Sequence, residues 1–320
     1  MFDRATCDGA DLMRHRLWAT GICVAFMVFG LRVANAEAPS PVLVSPAWLA
    51  AHLRDPSTIV VDIGGSDRDF RIAGHVPGAR LWNTEALGSD IDLAGGRVPW
   101  PSAEGITAVV DRLGLAPQNH VVLVTAGGSV GDVGLAARAF LMLRAAGFRS
   151  VSILNGGTGN WVAHRNTLSH TPPPVVAATH WVDRRPVPHW ILPVGAAHRV
   201  WQTHHPLFVD ARVAAGYRSG HIPGAVNVPS DLLLAGHSTF SQAFPVFYAF
   251  KSDPALEAVY QSGRIPDNEP VVFYCGSGLL SAEQVFVGRY LLGRHDVDYF
   301  PGSIQAWDAA NLPVTVGAKP

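Results

Sequence analysis

The sequence predicts an α/β protein made of two tandem copies of one domain, each a mainly parallel sheet with helices on both faces. Three observations lead there. First, blocks recur in the same order: GHVPGARLWN (74–83) and GHIPGAVNVP (220–229), IVVD ending at Asp62 and LFVD ending at Asp210, VVLVTAGG (121–128) and VVFYCGSG (271–278). Their offsets of 146, 148 and 150 residues are domain-sized, which excludes a solenoid of short repeats. Second, within each copy short β-branched runs alternate with helical patterns, the signature of strand–helix units around a parallel sheet. Third, 320 residues exceed what one hydrophobic core usually spans.

In the first copy the runs TIVVD (58–62), HVVLV (120–124) and SVSIL (150–154) read as strands buried on both faces. SAEGITAVVDRLG (102–114) and VGLAARAFLMLRAAG (133–147) read as helices, the second closed by Gly147 as a C-terminal cap. In Gly-His-(Val/Ile)-Pro-Gly-Ala, proline presets φ and glycine supplies a position with φ > 0, so each copy carries a tight turn there. His75 and His221 are read as turn-locking hydrogen bonders. Trp161 and Trp307, each five residues after a glycine (Gly156, Gly302), are read as core anchors. The division that follows is a first domain over 42–166, a Pro-rich semi-rigid linker over 167–190 and a second domain over 191–316.

Composition narrows the function. The chain is 48% hydrophobic and 15% charged with a formal net charge of −1, which leaves no electrostatic footprint for nucleic acid. The glycines of GGSVGDVG (127–134) are followed by no Lys-Ser/Thr pair, so they form no phosphate loop of the Walker type. The histidines show no metal-ligand spacing, and no cofactor is indicated.

The N-terminus reads as a separate object. Arg14, His15 and Arg16 precede an apolar run (17–31), and Ala34-Asn35-Ala36 supplies an A-x-A site, so residues 1–36 are expected to be a signal peptide cleaved after Ala36. The run falls short of the roughly 20 apolar residues of a permanent span. A periplasmic, membrane-free mature protein is the first expectation and an uncleaved anchor the second; Met1 and Met13 are both candidate starts. Cys7 and Cys23 lie in this leader, so the mature chain keeps one cysteine, Cys275, and no intramolecular disulfide.

Cys275 ends the strand-like VVFY, and a Gly-Ser-Gly loop and a helix starting near Leu280–Ser281 follow it. It is either an inert core residue or a nucleophile, and the loop chemistry favours the second. In open α/β sheets ligands bind beyond the C-terminal strand ends. Gly276 and Gly278 let successive N–H groups converge into an anion-binding nest, and the helix start adds the positive end of its dipole. Both favour thiolate, the nucleophilic form, and such settings lower a thiol from about 8.5 to roughly 3.5–7.5. The first copy carries Thr125 at this position, so one domain is expected to be active and the other silent.

Asp-Ala-Arg at a strand end, GHIPGA, VVFYCGSG and GS-x-x-x-W, on a frame present twice, resemble the tandem-domain rhodaneses, the thiosulfate and 3-mercaptopyruvate sulfurtransferases. The resemblance spans about residues 42–314, and SPAWLAAHL (45–53) and VPWPSAE (98–104) belong to it as well. It implies that Cys275 takes a sulfur from an anionic donor as a persulfide and passes it to a thiophilic acceptor, cyanide, a small thiol or a protein thiol. The loop Gly276, Ser277, Gly278, Leu279, Leu280 and Ser281, with the amides through Ala282, would cradle the anionic sulfur. Arg212 would bind the donor's anionic group, being planar, always charged and bidentate. Asp210 would position the loop, and Arg218 is the candidate second arginine.

Two features depart from the pattern: Leu279-Leu280-Ser281 stands where the mercaptopyruvate branch usually has Val-Thr, and no residue from 276 to 281 is basic, as the thiosulfate branch tends to be. Donor preference therefore stays open between the branches. A phosphatase-type Cys-x5-Arg loop is excluded by Ser281 at its arginine position. A non-catalytic sulfane-sulfur carrier or rhodanese-like binding module is the alternative reading.

Overall fold

The computed structural model describes residues 41–84, 100–182 and 185–317. The leader expected over 1–36, with Cys7 and Cys23, lies outside the described residues. The first half runs β1 (Leu43–Val44), α1 (Pro46–His52), β2 (Thr58–Gly64), α2 (Asp67–Ala73), β3 (Arg80–Asn83), α3 (Ala103–Arg112), β4 (His120–Val124), α4 (Val130–Ala145), β5 (Val151–Leu154) and α5 (Gly157–Ala163). The second runs α6 (Val194–Gln202), β6 (Leu207–Asp210), α7 (Ala214–Ser219), β7 (Val226–Asn227), β8 (Leu234–Ser238), β9 (Val246–Phe250), α8 (Asp253–Ser262), β10 (Val271–Tyr274), α9 (Leu279–Phe286), β11 (Val297–Tyr299) and α10 (Ser303–Ala309).

Both sheets are parallel, in the orders β1-β5-β4-β2-β3 and β11-β10-β6-β7. A parallel bridge between Ile191 and Tyr299 stands on the outer side of β11, where the first sheet has β1. The duplication read from the sequence is thus a duplication of strand order.

Alternation along the strands explains why these runs are apolar throughout. Val61, Ile63, Val121 and Leu123 face one side of the first sheet; Val60, Val122 and Val124 face the other. In the second sheet Val209, Val271 and Phe273 oppose Phe208, Val272 and Tyr274. The inner faces of both sheets share one continuous core, with α4 and α9 packed between them. Helix α4 is buried almost all round, as a helix apolar on every side must be. Phe140 of α4 meets the Phe286 ring of α9 edge-on at 4.8 Å.

The paired turns are built alike. His75 donates from Nδ1 to the Phe70 carbonyl (3.0 Å) and stacks on its ring, and His221 does the same with Tyr217 (3.0 Å). The Trp161 and Trp307 indoles are buried, each donating to a carbonyl six residues on, Thr167 and Pro313.

Residues 234–250, which the sequence pattern assigns to no element, form the antiparallel pair β8–β9. It reaches from the second half onto the first: the Tyr248 amide donates to the Gly127 carbonyl (2.8 Å), and the Phe250 amide donates to Asn155 Oδ1 (2.8 Å). Among the described residues no helix is long and apolar enough to cross a membrane.

Candidate functional site

Strand β10 ends at Tyr274, and Cys275 follows at its C-terminal edge, only 1% exposed. Its Sγ receives the Gly278 N–H at 3.1 Å. The Ser281 and Ser303 hydroxyls stand 3.6 and 3.9 Å from the sulfur. Each hydroxyl has one proton and a carbonyl competing for it, Gly278 for Ser281 (3.2 Å) and Phe300 for Ser303 (3.0 Å). The Gly278 amide is therefore the fixed donor, and the hydroxyls can rotate toward sulfur as its charge grows.

Helix α9 begins at Leu279, one position before the expected start, so Leu279, Leu280 and Ser281 form its first turn. Amides of a first turn lack intrahelical acceptors, which keeps that end of the loop rich in donors. The Ala282 amide does not belong to the cradle expected to include it. It donates to the Gly278 carbonyl at 3.1 Å, because the helix is already formed there. Gly276 and Ser277 are partly buried between Cys275 and the helix.

Gly278 is required twice over. Its φ is +95°, and a Cβ would collide with the Pro301 carbonyl and the Arg138 guanidinium. Arg138 comes from α4 of the first half and is fully buried; its Nη1 donates to the Tyr299 hydroxyl at 3.1 Å, and Tyr299 donates to the Gly278 carbonyl at 2.7 Å. Burial pushes the Tyr299 hydroxyl up to about 12, against the Arg138 charge, so it remains a donor.

Ser303 supports the loop from the other side. It accepts the Cys275 N–H at 3.0 Å, and the Ile304 and Gln305 amides bind the Cys275 and Gly276 carbonyls at 3.2 Å each. Ser303 holds φ at +52°, a strained conformation for a residue with a Cβ; Gly157 occupies the corresponding place in the first half at +57°.

Asp210, at the end of β6, is fully buried and accepts from Arg212 four times: from the backbone amide at 2.9 Å, from Nε at 3.0 and 3.1 Å and from Nη2 at 2.6 Å. Arg212 Nη2 also donates to the Gly220 carbonyl at 2.6 Å, and among the described residues no acceptor lies on its Nη1. Burial works against the Arg212 charge, but the Asp210 hydrogen bonds and charge outweigh it and hold the guanidinium above its ordinary value, with Tyr274 and Cys275 adding to the effect. The structure thus brings Asp210, Arg212 and the Cys275 loop together. Arg218 lies exposed in the last turn of α7, and its side chain makes no hydrogen bond or ion pair among the described residues.

Three groups here escaped the reading of the sequence: Ser303, Arg138 and Glu283. Glu283, on α9, is fully buried, and neither carboxyl oxygen has a hydrogen-bond partner among the described residues. Burial first, then the charges of Cys275 and Asp231, hold its carboxyl well above the usual range. A sequence signal existed for two of them: each is the one ionisable residue within a mostly apolar helical stretch, Arg138 in LAARAFLML and Glu283 in LLSAEQVFV.

Residues 45–164 and 196–310 each match the model of the Rhodanese-like domain. The 3-mercaptopyruvate sulfurtransferase of Escherichia coli K12 is 28% identical over 288 residues, covering 83% of this chain and 95% of that protein. The putative thiosulfate sulfurtransferase SseB of Mycobacterium tuberculosis is 31% identical over 297 residues, covering 85% of this chain and 96% of its own length. The crystal structure of SseA from Escherichia coli, described as a 3-mercaptopyruvate sulfotransferase, superposes with a TM-score of 0.67 at 23% identity, over 82% of this chain and 99% of that one.

Proposed function

This chain belongs to the rhodanese-like family, and from that premise we propose that it is a sulfurtransferase whose sulfur passes through a persulfide on Cys275. The observation that carries the reading is the surround of Cys275 Sγ: a fixed amide donor at 3.1 Å, two hydroxyls within 3.9 Å and a helix start behind them. Such a surround lowers the cost of a thiolate, and of a persulfide anion one sulfur further out.

The thiolate attacks the outer sulfur of an anionic donor. The new Cys275 S–S bond forms as the donor's bond to that sulfur breaks. With thiosulfate the electron pair leaves on sulfite. With 3-mercaptopyruvate it leaves on carbon, which takes up a proton to give pyruvate. Arg212, whose Nη1 meets no acceptor among the described residues, would hold the donor's sulfonate or carboxylate. A cyanide or thiolate acceptor then attacks the outer persulfide sulfur and returns Cys275 as thiolate. We place this activity in the periplasm, with residues 1–36 as the cleaved leader; the N-terminal sequence of the exported protein tests that.

The test is cyanide-dependent thiocyanate formation by the mature chain with each donor, beside Cys275→Ser. Turnover lost in the serine variant is the expected result, and the better donor identifies the branch. A wild type that gains one sulfur, about 32 Da, but never turns over would make it a carrier. A wild type that neither turns over nor gains sulfur would overturn the reading.

A further inference from the structure

In the second half Asp210 is firmly held: Arg212 binds it through Nε and Nη2, the Tyr274 side chain stands beside it, and Arg212 Nη2 continues to the Gly220 carbonyl. The first half keeps the carboxylate and loses both side-chain neighbours. Asp62 corresponds to Asp210 and Gly74 to Gly220, but Gly64 stands for Arg212 and Val124 for Tyr274. Among the described residues no hydrogen bond reaches the Asp62 carboxyl. Where the guanidinium lies in one half, the other has a cavity of about 250 Å3 whose wall includes Asp62, Gly64 and Gly74.

We propose that this cavity of the first half is a binding site for a small alkylguanidinium, held by the Asp62 carboxylate in the place that Arg212 takes in the second half. Among the described residues the wall contains no Arg, Lys or His. Asp69 of α2 and Asp132 of α4 line it as well, so every charged group that the described residues turn to the space is an acid. Leu81, Leu135 and Phe244 offer an apolar surface for an alkyl tail. A planar guanidinium matches a carboxylate and a neighbouring carbonyl together, as Arg212 does with Asp210 and Gly220, and an ammonium cannot reproduce that fork. Burial without a partner pushes the Asp62 carboxyl up to about 7. A bound cation would favour its ionised form, so binding should weaken as pH falls through that value. The duplicated frame would then carry an anion-handling site in one half and a cation site in the other.

The experiment is calorimetric titration of the full chain with n-butylguanidinium, beside n-butylammonium and n-butyrate. Expected are one butylguanidinium per chain at pH 8, weaker butylammonium and no butyrate. Affinity should fall by about tenfold or more in Asp62→Asn and as pH drops from 8 to 6. Gly64→Arg supplies the guanidinium from within. A Cβ at Gly64 meets only ordinary contacts, 3.6 Å from Asp62 Oδ1 and 4.0 Å from Leu81, so this variant should fold and stop binding. It decides the matter alone if Asp62→Asn fails to fold. No binding by the wild type, equal binding by Gly64→Arg, or butylammonium binding as tightly as butylguanidinium would each overturn the assignment.

Discussion

The Ser303 hydroxyl accepts the Cys275 amide at 3.0 Å and stands 3.9 Å from its sulfur, from a backbone held at φ +52°. A serine in that conformation costs of order 1 kcal/mol against glycine, and the first half uses Gly157 there. The strain marks a hydroxyl kept for its contacts. Ser303→Gly and Ser303→Ala should both reduce kcat by about tenfold, through the lost support of the loop. Ser303→Gly should unfold at higher denaturant than Ser303→Ala, by about 1 kcal/mol. Equal stability of the two variants would contradict the strain.

Arg212 is positioned by Asp210 rather than neutralised by it, since Nη1 meets no acceptor among the described residues. Arg212→Lys loses the planar fork, and steady-state kinetics should show KM for the donor rising about tenfold or more. Asp210→Asn should do similar harm through Arg212, leaving the guanidinium less firmly oriented. An unchanged KM in Arg212→Lys would remove Arg212 from donor binding.

Gly278→Ala forces a Cβ into the Pro301 carbonyl and the Arg138 guanidinium at a backbone φ of +95°. The loop must shift, and with it the amide that faces Sγ. We expect a loss of about 2 kcal/mol or more in denaturant unfolding, together with loss of sulfur transfer. Gly276→Ala is the control, because a Cβ there meets nothing within 4 Å.

Glu283 carries a pH signature. Its carboxyl is held well above the ordinary value in the folded chain, so between the unfolded and folded values the native state binds the extra proton. Stability therefore falls as pH rises through that interval, at up to about 1.4 kcal/mol per pH unit. Glu283→Gln keeps the shape without the titration. The stability of the variant relative to wild type should grow from pH 5 to pH 8, measured by urea unfolding. A difference that is flat with pH would show that Glu283 is ionised in the folded protein.

Much of the site was legible because its residues sit at strand ends inside recurring blocks. Cys275 follows VVFY, and Asp210 and Arg212 follow LFV, so strand order alone carries them to one edge of the sheet. Ser303 lay in plain view beside Gly302 in a matched block, yet nothing local says that its hydroxyl turns back 28 residues to Cys275. The β8–β9 pair was hidden for a related reason. Its anchors, the Gly127 carbonyl and the Asn155 side chain, belong to the other half of the chain.

The sequence by itself determined the duplicated α/β frame, the strands, the paired turns and the chemistry offered at Cys275. Those follow from periodicity, turn stereochemistry and the order of residues along one strand–loop–helix unit, all of which are local. Only the tertiary structure decided that Arg138 of the first half braces the Cys275 loop through Tyr299, that Glu283 is buried with no partner among the described residues, and that Asp62 faces a cavity where Asp210 faces an arginine. Each depends on which surfaces meet when two sheets close on a shared core, and burial is what turns a charged side chain into a brace or makes a carboxyl resist ionisation.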